Sequence, residues 1–146
     1  MSATNAFETA LLTLYFNNTD HANVGDAAGV QNSATAGSFY ISLHTADPGE
    51  TGTQTTSEAT YTSYARVAVA RFGAGWTVSG NNASNAAAIN FPACTGGTNT
   101  ITHFGIGSDV SGAGNLFFKG ALSASLAVSS GITPSFAIGE LDVNLD

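Results

Sequence analysis

Phe39-Tyr40-Ile41-Ser42-Leu43-His44-Thr45-Ala46-Asp47-Pro48-Gly49-Glu50 decides how this chain reads. In its first half Phe39, Ile41 and Leu43 alternate with Tyr40, Ser42 and His44, the period of a half-buried strand. Its second half is a turn: Pro48 presets φ and Gly49 supplies the permissive position that follows. Outward from there the pattern repeats. Tyr64–Phe72 reads as a strand with Ala65, Val67 and Val69 on one face, and Gly73 and Gly75 break it before Trp76–Ser79. Gly80-Asn81-Asn82 is a further turn, and Ala87, Ile89 and Phe91 alternate until Pro92 stops them. Thr98–Ile106, Leu116–Leu122, Leu126–Val128 and Ile132–Ile138 follow. The last strand sets Leu141, Val143 and Leu145 inward against Glu140, Asp142, Asn144 and Asp146 outward. About eight short strands without helix-length crossovers predict a mainly β chain, an antiparallel β-sandwich of jelly-roll-like kind.

One helix precedes the strands. Asn5 stands as its cap with Glu8 three residues on, and Phe7, Leu11, Leu14 and Tyr15 recur at helical spacing. Asn17-Asn18 ends that pattern. Residues 17–37 are then rich in Asn, Asp, Gly, Ala, Ser and Thr and predict a polar arm able to lie across a neighbour. The expected organisation is a helix and arm over 1–37 and a sandwich over 38–146, together one compact domain.

Composition narrows the function. The 146 residues are 43% hydrophobic but only 9% charged, with Lys+Arg 3 against Asp+Glu 10 and a net charge of -7. Three scattered cations, Arg66, Arg71 and Lys119, form neither a nucleic-acid surface nor a polybasic membrane anchor. No apolar run approaches the roughly 20 residues of a membrane span. A single cysteine forms no internal disulfide, which fits synthesis in a cytoplasm.

The chemistry-bearing residues do not gather into a motif. His44 and Asp47 are a close pair, but His21 and His103 lie elsewhere, and a zinc site needs three or four convergent ligands. Asp142, Asn144 and Asp146 lack the Gly-centred loop and distal Glu of an EF-hand, and they read as solvated side chains guarding an edge. Cys94 has neither base nor cation nearby in sequence. No catalytic residue, metal or cofactor is expected. The exposed surface must be built from small polar side chains, which cost little to desolvate and lose little rotamer entropy on packing. That favours lasting contact with other subunits over turnover.

Several stretches, in order, then resemble a group of small virion proteins from tailed bacteriophages. They are Phe39–Glu50, Tyr64-Ala65-Arg66-Val67-Ala68-Val69, Trp76, Asn85–Pro92, Ile101–Ile106, Leu116–Leu122, Gly131–Phe136 and Gly139-Glu140-Leu141. The resemblance implies a non-enzymatic phage structural protein. The first expectation is a capsid decoration, or cement, protein on the outer capsid surface, a homotrimer bound to the major capsid protein. Its contacts with capsid and sister copies are expected at Phe7, Leu11, Tyr15, Tyr61 and Tyr64. The alternative is a tail-fibre or tail-tip module on which Tyr40 and Trp76, with Tyr61 and Tyr64, stack against a host glycan.

Overall fold

The computed structural model describes residues 2–26 and 28–145. Asp146, expected on the outward face of the last strand, lies outside the described residues. The fold is mainly β and sandwich-like in class, with one helix at the N-terminus and antiparallel sheets. The chain divides into two compact units, each assembled from separated segments. Unit 1 holds Met1–Ser38, Ala70–Ala88 and Phe136–Asp146, and unit 2 holds Phe39–Val69 and Ile89–Ser135. The N-terminal helix thus shares its unit with two later segments of the chain.

In unit 1, α1 (Asn5–Asn17) lies with the sheet β3 (Trp76–Ser79), β4 (Asn82–Asn85) and β9 (Asp142–Asn144), in the order β3-β4-β9. Thr4, not Asn5, caps the helix, its Oγ1 accepting from the Phe7 N–H at 3.4 Å. Asn18 closes the other end in the left-handed region at φ 51°. The buried stripe is Glu8, Leu12 and Phe16, one position round from the stripe that periodicity suggests. Phe16 meets Trp76 edge-on with ring centroids 4.6 Å apart. Thr9 Oγ1 donates to the Gly80 carbonyl at 2.8 Å and ties the helix to the β3–β4 turn.

Buried Asn85 organises the C-terminal part of this unit. Its Nδ2 donates to the Ala87 and Ala137 carbonyls at 2.8 and 2.7 Å, and its Oδ1 accepts from the Leu141 N–H at 2.9 Å. Leu141 and Val143 are buried, as their alternation predicts.

Within residues 17–37 several described residues pair with one another. The backbones of His21 and Val30 pair, and Asn32 N–H donates to Asp20 Oδ1 at 2.7 Å. Asn18 and Ser33 exchange two hydrogen bonds at 2.8 and 2.9 Å. Short polar side chains take the backbone partners that a free arm would leave to water, so the segment closes on itself. Arg71 fastens it by donating to the carbonyls of Tyr15, Leu14 and Ala36.

Unit 2 is built on the sheet β2 (Val67–Ala70), β1 (Ser38–His44), β6 (Asn99–Gly107) and β7 (Leu116–Val128), in the order β2-β1-β6-β7. The two runs read as separate strands, Leu116–Leu122 and Leu126–Val128, are one strand of 13 residues. Phe39, Ile41, Leu43, Ile101 and Ile106 are buried. Gly120 faces Phe104 across the β6–β7 ladder, where a Cβ would stand 2.6 Å from the ring. The long strand expected at Tyr64–Phe72 shortens to β2 because Tyr64 and Arg66 are drawn into a polar cluster. The remaining short strands are β5 (Ile89–Asn90) and β8 (Ser135–Phe136).

Candidate functional site

The polar cluster of unit 2 grows from the end of β1. Ser42 and His44 point to one side of the strand, and both are fully buried. Ser42 Oγ lies 2.8 Å from His44 Nε2, and His44 Nδ1 lies 2.8 Å from the Thr56 carbonyl. The carbonyl can only accept, so Nδ1 carries the proton and Nε2 accepts from the serine hydroxyl. Burial pushes the His44 pKa below its ordinary value, against the pull of the Thr56 carbonyl and of Glu58. β6 makes room for the pair with glycine. A Cβ at Gly105 would stand 2.7 Å from both Ser42 Oγ and His44 Nε2.

The segment after the turn folds back along β1: Thr45 N–H donates to Ser57 O, and Ala59 N–H to Leu43 O, both at 2.8 Å. This return delivers Glu58. Arg66 grips its carboxylate with two bonds, Nε to Oε1 at 2.6 Å and Nη2 to Oε2 at 2.8 Å. Arg66 also donates to the carbonyls of Asp109 and Gly112, each at 2.8 Å. Tyr64 Oη donates to Glu58 Oε1 at 2.9 Å and accepts from the Leu43 N–H at 3.0 Å. Hydrogen bonding to Glu58 raises the Arg66 pKa further, and burial raises that of Tyr64 well beyond the ordinary phenol value. A shallow cavity of about 270 Å³ lies between Glu58, Tyr64 and Arg66 and the 110–112 loop.

Buried Gln54 secures that loop from the other side. Its Oε1 accepts from Asp109 N–H at 2.9 Å, and its own N–H donates to Ala113 O at 2.8 Å. At the surface Asp47 Oδ1 accepts from Gly49 N–H at 2.9 Å, and Lys119 Nζ stands 3.0 Å from Asp47 and 3.2 Å from Glu50.

The chemistry of this arrangement is fastening. Arg66 spends its donors on one carboxylate and two carbonyls, joining the 56–58 return, the approach to β2 and the 109–112 loop. Ser42 and His44 have the spacing of a nucleophile and its base, but they are sealed under the return segment. Among the described residues no three of His, Cys, Asp or Glu converge as a metal site would require.

The residues singled out from sequence divide clearly. Phe7 (49% exposed) and Tyr15 (38%) lie on the outer side of α1 with half-buried Leu11, and the Phe7 ring lies 5.6 Å from that of His21. Tyr61 is buried and offers no contact surface. Its ring meets Tyr64 at 5.3 Å, and its Oη donates to Pro92 O at 3.0 Å. Burial pushes the Tyr61 phenol up to about 12. Tyr64 is half-buried and committed to Glu58. Tyr40 is half-buried, whereas Trp76 is 0% exposed and presents no ring face to a sugar. Large aromatics on strands are core material first, and this one fills the space under α1. Sequence reading missed Glu58, Gln54 and Thr56. The signal available was that Ser42 and His44 share a strand face, which demanded polar partners from somewhere in the chain.

No curated protein matches the chain. The family described as podophage GP4 fiber I protein gp80 matches residues 2–144, and the chain belongs to that family, a small structural protein of the tailed-phage virion.

Proposed function

We propose that the protein is a fibre component of a podophage particle and works through contact rather than turnover. The observation that carries this reading is the family match over residues 2–144, a family described as a fibre protein. It favours the tail-fibre alternative over capsid decoration. The geometry supports a building block: the polar side chains of unit 2 fasten loops to a sheet, and the loop after α1 is closed by its own Asn, Asp and Ser residues. The outer side of α1, with Phe7, Leu11 and Tyr15, serves as a docking face for a neighbouring virion component. Glycan stacking on Trp76 forms no part of the proposal.

The test is location. Antibody labelling of purified particles, or density assigned to the chain in imaged virions, should place it on fibres at the tail. Density spread over the head lattice, at a copy number set by the capsomers, would return the assignment to capsid decoration.

A further inference from the structure

Glu8 is the anomaly of unit 1. It lies on the inner stripe of α1 with Leu12 and Phe16 and is 5% exposed, nearly out of water yet reachable from outside. Burying a carboxylate is costly unless it is paired and hydrogen-bonded. Among the described residues none meets this one: Glu8 has no salt bridge and no side-chain hydrogen bond. No lysine or arginine precedes Arg66 in the chain. The cation that the sequence supplies to unit 1, Arg71, donates to the Leu14 and Tyr15 carbonyls near the other end of the helix and to that of Ala36.

The place of Glu8 on the helix relates it to the outer stripe. At about 100° per residue, Glu8 stands about 20° round the axis from Tyr15 and about 60° from Leu11. It therefore marks the margin between the packed side and the side where Phe7 and Tyr15 are exposed. Beside that side, the His21 ring meets Phe7, and the His21–Val30 bridge brings exposed Val30 next to His21. Exposed Asp20 and Asp26 belong to the same loop, which carries no lysine or arginine. An apolar face with a nearly buried carboxylate at its margin and acids beside it complements a surface that is apolar and cationic. A second copy does not offer that surface. Its Arg66 is committed to Glu58, its Arg71 to carbonyls, and its Lys119 to Asp47 and Glu50.

We infer that the outer side of α1 docks a different protein of the particle, through an apolar surface whose lysine or arginine pairs with Glu8. This rests on the reading of that side as a docking face and adds the chemistry of the partner. When the neighbour excludes water, the pair forms at low effective dielectric, where its attraction is strong. The free chain carries the carboxylate at a cost that contact relieves.

Glu8→Gln tests it, because assembly and stability should move in different directions. With no internal partner to lose, E8Q should melt at or above the wild-type midpoint as an isolated full chain. In particles assembled in cells that make both chains in place of the resident copy, wild type should be enriched over E8Q by at least about tenfold relative to their ratio in the cell. High-resolution mass spectrometry of the peptide holding residue 8 reads that ratio. Glu50→Gln removes an exposed charge from unit 2 and should enter at the wild-type ratio. A lowered midpoint or lost fold for E8Q would reveal an internal partner and overturn the inference. Entry of E8Q at the wild-type ratio, or exclusion of E50Q as strong as that of E8Q, would overturn it as well. The same particles report where the wild-type chain sits: a place on the head defeats the fibre assignment and leaves the E8Q ratio to decide the inference.

Discussion

Arg66→Met asks how much the clasp in unit 2 contributes. The Arg66 side chain is 3% exposed and that of its partner Glu58 15%. Methionine keeps much of the stem's packing but removes two charge-assisted bonds to the carboxylate and two bonds to loop carbonyls. Breaking a buried pair from one side costs about 3–5 kcal/mol, because the remaining charge is left uncompensated. Glu58 reaches some water and keeps the Tyr64 hydroxyl, so the lower half of that range applies, about 3–4 kcal/mol. At about 2–4 °C per kcal/mol for a chain near this size, the melting midpoint should fall by roughly 10 °C. Urea unfolding followed by far-UV circular dichroism measures this directly, and an unchanged slope shows that stability rather than compactness has moved. The double variant Glu58→Gln with Arg66→Met should recover part of the loss, since no buried charge then lacks its partner. A loss below about 1 kcal/mol for R66M, the range of an exposed pair, would refute the reasoning.

Three further outcomes follow from the same geometry. Gly105→Ala drives a methyl group against Ser42, His44 and Leu116, and it should cost about 1–3 kcal/mol in urea unfolding. Trp76→Ala empties the space beneath Phe16 in unit 1 and should cost about 3–5 kcal/mol by the same assay. His44 has a folded pKa below its unfolded value near 6.5, so below that pH the unfolded chain binds the extra proton. Stability contributed by neutral His44 is thus present above pH 6.5 and is lost as pH falls toward the folded pKa, at up to about 1.4 kcal/mol per unit. His44→Gln should flatten that part of the stability–pH curve, and a curve unchanged by the substitution would contradict the assignment.

The sequence showed the strands more clearly than the site. Leu141 and Val143 alternate with exposed neighbours because they lie on a sheet face with a definite inside, whereas β1 is buried on both sides, Ser42 and His44 opposite Phe39, Ile41 and Leu43, and is not the half-buried strand its alternation suggests. The helix was legible as a helix but not in phase. Phe7-Leu11-Tyr15 and Leu12-Phe16 are neighbouring apolar stripes, and the buried one includes Glu8, a residue whose charge argues for solvent. The burial of Trp76 was illegible for a related reason, since an indole has the same composition whether it lies on a surface or beneath a helix. The cluster around Arg66 was not legible at all. Glu58, Tyr64 and the carbonyls of Asp109 and Gly112 become neighbours only once the 45–59 segment has folded back along β1 and the β6–β7 loop has come round. None of those approaches leaves a mark in local periodicity.

The two-way split of the chain also bears on how it is made. β4 is the middle strand of its sheet, and its partner β9 is supplied by residues 142–144. During translation the first helix therefore emerges long before the platform that receives it is complete, while both segments of unit 2 precede that last strand. Such long-range closure is slow relative to local structure. On the ribosome Phe16 therefore stays uncovered until Trp76 and the β3–β4 hairpin that receive the helix have emerged, so a nascent chain cut before that hairpin leaves the helix without its seat.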